Sequence, residues 1–75
     1  MPFIDVKCIE GVFSPDEKKE MIRRITDAVV SLEGERMREG TWVVIEEIRS
    51  GDWGEGGKPW TTAEIKALQA GQPPR

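Results

Sequence analysis

The sequence predicts an α/β chain in β-α-β order, and three observations predict it. The opening segment alternates: Ile4, Val6 and Cys8 fall on one face of an extended strand, Asp5 and Lys7 on the other. A long stretch then carries Met21, Ile22, Ile25, Ala28, Val29 and Leu32 on a 3.6-residue period. A β-branched and aromatic run, Trp42-Val43-Val44-Ile45-Glu46-Glu47-Ile48, follows. A helical crossover of this length joins parallel strands in the right-handed sense.

The first strand is expected from Pro2 to Ile9 and ends at Glu10-Gly11. Ser14-Pro15-Asp16-Glu17 starts the helix. Ser14 caps, Pro15 suits the first helical position, and Glu17 completes a capping box. The helix runs to Leu32 or Glu33, with Gly34 as its stop. Arg36 to Gly40 is a polar connection before the second strand. Ser50 to Pro59 reads as a glycine-rich loop around Trp53. A short C-terminal helix opens at Thr61-Thr62-Ala63-Glu64, again at capping-box spacing, and ends near Gly71. Residues 72–75 read as a frayed tail.

At 75 residues the chain is expected to be a single domain spanning 1–75. Two parallel strands and one helix leave a sheet face and both edges uncovered, a poor arrangement for a lone chain in water. The expectation is completion by self-association into a closed homo-oligomer.

Composition narrows the chemistry. There is no histidine and one cysteine, Cys8, so the usual zinc-ligand sets are missing and no cofactor or metal is expected. Cys8 sits in the apolar alternation and reads as a small core residue. The net charge is −3, with both signs interspersed, which argues against nucleic acid as a partner. No apolar run approaches the ~20 residues of a membrane span, and no secretory signal is evident. A cytoplasmic protein acting on a small molecule is the expectation.

Without histidine, the commonest general base is absent. Pro2 offers another. Removal of Met1 would leave Pro2 with a secondary amine, and an α-amino group ordinarily titrates near ~8. Apolar surroundings disfavour its charged form. A Met-Pro start is by itself a weak signal, because many chains begin this way. Glu46 and Glu47 do not form a close acid–base pair, because adjacent strand residues point to opposite faces.

Pro2, Glu10-Gly11, the run Ser14 to Glu20, Val43-Val44-Ile45-Glu46-Glu47, and the loop Gly51-Asp52-Trp53-Gly54-Glu55-Gly56-Gly57 occur here in one order. Over residues 2 to 58 the chain resembles the 4-oxalocrotonate tautomerase family. The resemblance implies a β-α-β tautomerase fold in which two units pair into a four-stranded sheet, most often within a homohexamer, with dimers and trimers as variants. It implies that Pro2 is the general base of a keto–enol isomerase. It also implies that Trp53 is the aromatic residue beside the proline.

The departures from the family's pattern shape the expected substrate. The family's type member carries an arginine directly after the Glu-Gly pair and another at the start of the second strand. Here those positions hold Val12, followed by Phe13, and Trp42. Neither valine nor tryptophan reproduces a bidentate guanidinium contact. The expected pocket is therefore apolar and aromatic, edged by Phe3, Val12, Phe13, Trp42 and Trp53. Its substrate is an enol or α-keto compound, aryl-substituted ones included, with at most one carboxylate. Arg36, Arg38, Arg49 and Lys58 are candidate replacement cations that more often serve as surface charges. Trp60 is expected to be packed rather than to touch ligand. Two alternatives stand beside this: a non-catalytic oligomeric ligand-binding or interaction protein, and a dehalogenase or hydratase variant. The latter ranks last, because it needs the missing arginines.

Overall fold

The computed structural model describes residues 1–72. Of the expected frayed tail, residues 73–75 lie outside that range. Gln72 is still tied to the last helix, its N–H donating to the Ala67 carbonyl at 2.9 Å.

The two long strands, β1 (Phe3–Ile9) and β2 (Trp42–Ile48), are neighbours in one sheet. The Trp42 N–H donates to the Pro2 carbonyl at one end, and the Glu10 N–H donates to the Ile48 carbonyl at the other. Start therefore meets start and end meets end, so the strands are parallel. Both strands run through two compact units: Met1–Lys7 with Phe13–Glu46, and Cys8–Val12 with the chain from Glu47 onward.

In the first unit, helix α1 (Pro15–Glu33) begins as its sequence dictates. Ser14 Oγ accepts from the Glu17 N–H at 3.1 Å, and the Glu17 carboxylate accepts from the Ser14 N–H at 2.8 Å. Two of the orphan donors at the helix start are thereby satisfied. At the other end the Gly34 N–H returns to the Val30 carbonyl at 2.9 Å, with Gly34 at φ +104°. The apolar stripe is only partly buried. Val30, which it omits, is the buried residue of α1, whereas Leu32 is 91% exposed and Ile22 and Ala28 are also exposed. The helix turns Met21, Ile25, Val29 and Val30 inward, and its flanking apolar residues find no partner surface in one two-stranded sheet.

The connection expected at Arg36–Gly40 forms a 3₁₀ turn, Glu35–Gly40. Arg38 holds it to α1, donating to Asp27 at 2.9 Å and to Glu35 at 2.7 Å. Those two carboxylates, Glu35 first, hold the guanidinium pKa above its usual value. Arg38 is thus a structural cation. Thr41, which is buried, has its hydroxyl within hydrogen-bonding reach of the Glu33 carboxylate and of the Met37 carbonyl.

In the second unit, the expected loop contains a hairpin. Strands β3 (Trp53–Glu55) and β4 (Lys58–Trp60) pair antiparallel with Trp53 opposite Trp60. Gly56 and Gly57, at φ +60° and +85°, form the two-residue turn. Positive φ at both central positions matches the right-handed twist of the flanking strands, and glycine adopts it without a Cβ clash. Helix α2 (Thr62–Gln69) follows, with the Thr61–Glu64 capping box in place. Among the described residues the buried apolar side chains are Ile9, Val12 and Val30. So small a core leaves much of the chain's apolar surface exposed.

Candidate active site

The Pro2 hollow belongs to the first unit. Met1, Pro2, Phe3, Gly40 and Trp42 line a space of about 280 Å³. Pro2 is fixed at the start of β1 by its carbonyl, which accepts the Trp42 N–H at 3.1 Å. Proline has no N–H to offer, so this position suits a residue that need not donate to the ladder. Phe3 and Trp42 are 61% and 60% exposed and form aromatic edges. Gly40 leaves room for Met1: a Cβ there would lie 2.5 Å from the Met1 sulfur. None of the five lining residues carries an ionisable side chain. While Met1 is attached, the Pro2 nitrogen is an amide and not a base.

The charges of this unit lie further along the same strands. Phe3, Asp5 and Lys7 share one face of β1 by the pleat. Lys7 donates to Asp5 at 2.6 Å and pairs with Glu46 across the sheet. Hydrogen bonds to Asp5 and then Glu46 hold the Lys7 pKa above its ordinary value, and the Lys7 hydrogen bond lowers that of Asp5. This open face is thus apolar at the strand starts and ionic beyond them. Glu47, the neighbour of Glu46, instead accepts from the Gly11 N–H at 3.3 Å in the second unit. The two glutamates serve different partners, as strand alternation requires.

The second unit holds a cavity of about 330 Å³, lined by Cys8, Ile9, Val12, Trp53, Glu55, Trp60, Ile65 and Leu68. Its floor is anchored at the turn after β1. Gly11 adopts φ +77°, and the Thr62 hydroxyl donates to the Glu10 carbonyl at 2.6 Å. The Glu10 carboxylate accepts the Ser50 N–H at 3.1 Å, and Ser50 Oγ accepts the Thr62 N–H at 3.0 Å. The start of α2 is thereby tied to the end of β1, which brings Ile65 and Leu68 to the cavity wall. The Trp60 indole N–H donates to Glu55 at 3.0 Å.

Of the residues that the sequence points to, Pro2, Phe3 and Trp42 share the first hollow, and Val12 and Trp53 share the second cavity. Phe13 is half-buried and lines neither. Trp60, expected only to pack, is half-buried and also lines the cavity. Sequence reasoning misses Cys8, Glu55, Ile65 and Leu68 as lining residues. The Gly56-Gly57 pair between two short stretches is the available signal, because it places Trp53, Trp60 and Glu55 on one hairpin. Among the described residues no cluster of three or more His, Cys, Asp or Glu is placed to hold a metal ion. No helix among them is long and apolar enough to cross a membrane.

The family described as "Tautomerase enzyme" matches residues 2–63, which is most of the chain, so this protein belongs to the tautomerase family. A probable tautomerase of Listeria innocua is 39% identical over 57 residues, covering 76% of this chain and 90% of that protein. A probable tautomerase of Dickeya dadantii is 30% identical over 67 residues, covering 89% and 98%. A 4-oxalocrotonate tautomerase isozyme of Methylibium petroleiphilum superposes with a TM-score of 0.70 at 30% identity, covering 89% of this chain and 97% of the other. The fold is that of 4-oxalocrotonate tautomerase, and the protein is an isomerase.

Proposed function

We propose that this protein is a keto–enol tautomerase whose general base is the Pro2 amine, freed by removal of Met1. The observation that carries the reading is the position of Pro2. It stands at the start of a strand, held by the Trp42 N–H, in a hollow edged by Phe3 and Trp42 and free of ionisable side chains. A secondary amine among apolar groups favours its neutral form, which accepts a proton. The neutral nitrogen takes the proton of the substrate's enol hydroxyl, and the oxygen becomes a carbonyl as the double bonds shift. The same nitrogen then returns the proton to carbon. No atoms are gained or lost.

Val12 and Trp53 are assigned to apolar substrate contacts by their match to family positions and by their exposure to a common cavity. Phe13 keeps its place as an expected pocket edge only as the neighbour of Val12 and lines neither space. With Val12 and Trp42 in place of two arginines, the substrate is a small enol or α-keto compound, aryl-substituted ones included, with at most one carboxylate. The protein acts in the cytoplasm as a homo-oligomer, a hexamer by family likeness. The exposed Leu32, Phe3 and Trp42 support association.

The reading is tested with the processed chain and phenylenolpyruvate. Turnover is expected, and Pro2→Ala should lower it by about a hundredfold or more. Undetectable turnover of phenylenolpyruvate and of 2-hydroxymuconate by a chain shown to lack Met1 would remove the enzymatic reading. One observation favours a second reading: Val12 and Trp42 stand where the family resemblance implies two substrate-binding arginines. A protein that keeps Met1 would be a non-catalytic ligand-binding protein on the same scaffold, and the intact mass of the chain isolated from cells separates the two.

A further inference from the structure

We propose that the cavity of the second unit binds a small alkylammonium or quaternary ammonium cation, between the Trp53–Trp60 pair and the Glu55 carboxylate. The hairpin register places these groups together. Trp53 is directly opposite Trp60, and Glu55 is two residues beyond Trp53 on the same strand. The pleat therefore sets all three side chains on one face, and all three line the cavity. The other walls are Cys8, Ile9, Val12, Ile65 and Leu68, so Glu55 is the one carboxylate among the lining residues, beside a lone thiol.

Glu55 is exposed at the rim of these apolar walls and presents a negative charge there. The Trp60 indole N–H, at 3.0 Å from Glu55, supplies one neutral donor and does not cancel the charge. An anion entering the cavity meets like charge. A neutral molecule gains only the apolar walls. A cation with an apolar shell gains the carboxylate and the indole rings, whose faces attract positive charge. The volume of about 330 Å³ is at the small end of ligand sites. Ile65 and Leu68 lie on α2 beyond residue 63, where the family match ends, so part of this wall is outside the shared tautomerase segment.

Lys58 is the cross-strand partner of Glu55, and its side chain rises on the same face. It does not line the cavity. Its ammonium is the chain's own competitor for Glu55. Two substitutions on one hairpin should therefore act in opposite directions. The site shares Val12 and Trp53 with the proposed substrate contacts, but it needs no turnover and does not rest on the Pro2 chemistry.

The test uses the full chain and three probes of similar shape: choline, the neutral 3,3-dimethylbutan-1-ol and the anionic 3,3-dimethylbutanoate. Calorimetry gives affinities, and the three indole N–H resonances report location, with Trp42 of the first unit as internal control. Choline is expected to bind saturably and to shift Trp53 and Trp60 but not Trp42. The alcohol should bind about tenfold more weakly, and the anion not measurably. Glu55→Gln should weaken choline about tenfold and leave the alcohol unchanged, which also shows that the variant is folded. Lys58→Met should tighten choline, and Pro2→Ala should leave it unchanged. Equal binding of choline and the alcohol, an unaltered affinity in Glu55→Gln, loss of binding in Pro2→Ala, or no saturable binding of choline would each overturn the proposal.

Discussion

The backbone N–H of Trp42 donates to the carbonyl of Pro2 at 3.1 Å, which fixes the chain's second residue at the start of the sheet. This bond orders Pro2 through its carbonyl and leaves the nitrogen side of the ring uninvolved in the ladder. The indole of Trp42 lines the same hollow, at the position where the family resemblance implies an arginine.

Trp42→Arg should therefore restore a grip on a substrate carboxylate without disturbing the backbone bond. The expected result is a rise of about tenfold in kcat/KM for 2-hydroxymuconate, because the guanidinium donates charge-assisted hydrogen bonds that persist in the transition state. The aryl substrate should benefit less, because it loses an aromatic wall. Steady-state kinetics of both substrates on one preparation measure the ratio.

Gly11→Ala should destabilise the fold. Gly11 lies at φ +77°, and a Cβ there would meet Thr62 Cγ2 at 3.2 Å. The left-handed conformation alone costs a non-glycine residue about 1–2 kcal/mol. Gly54→Ala is the control, because Gly54 is not at positive φ and a Cβ there meets nothing within 4 Å. Urea midpoints should fall for the first variant and not for the second.

Ser14→Ala should lower stability by about 1 kcal/mol, because it removes the side-chain acceptor for the Glu17 N–H at the start of α1. Ser14→Asp should retain most of that stability. Chemical denaturation followed by helical circular dichroism reads both.

Glu20 should make α1 sensitive to acid. Hydrogen bonds from Arg23 and then Arg24 lower its carboxyl from the ordinary 4.5 to about 2. The folded pKa is below the unfolded one, so the stabilisation is present above pH 4.5. It fades as the pH falls from there toward 2. Glu20→Gln should flatten the melting temperature over that window, and about 1 M salt should shrink the difference, since the groups are exposed. Lys7, with a raised pKa, works in the opposite sense and loses its contribution only in strong alkali.

Local signals make most of the fold legible. β2 runs Trp42–Ile48 as the β-branched run indicates, and both capping boxes mark their helices because the cap bonds are made between residues three apart. The β3–β4 hairpin is hidden by brevity: three-residue strands have no readable alternation, and Pro59 weakens the strand signal. The burial of α1 departs from its stripe for another reason. A sequence stripe shows which residues are apolar, but whether Leu32 finds a partner depends on surfaces that one chain does not hold. The sequence points to one pocket edged by Phe3, Val12, Phe13, Trp42 and Trp53, whereas in the structure Pro2, Phe3 and Trp42 line one space and Val12 and Trp53 another. The Glu55–Trp60 contact is not legible, because it depends on the turn register.

Whether Pro2 works as a free secondary amine is decided by alkylation with 3-bromopyruvate, located by mass spectrometry and followed alongside activity. If Pro2 is the base, the chain lacks Met1, carries a single adduct on Pro2, and loses turnover in proportion to labelling. A chain that retains Met1, or one that labels on Cys8 and loses activity with Pro2 unmodified, would contradict that role.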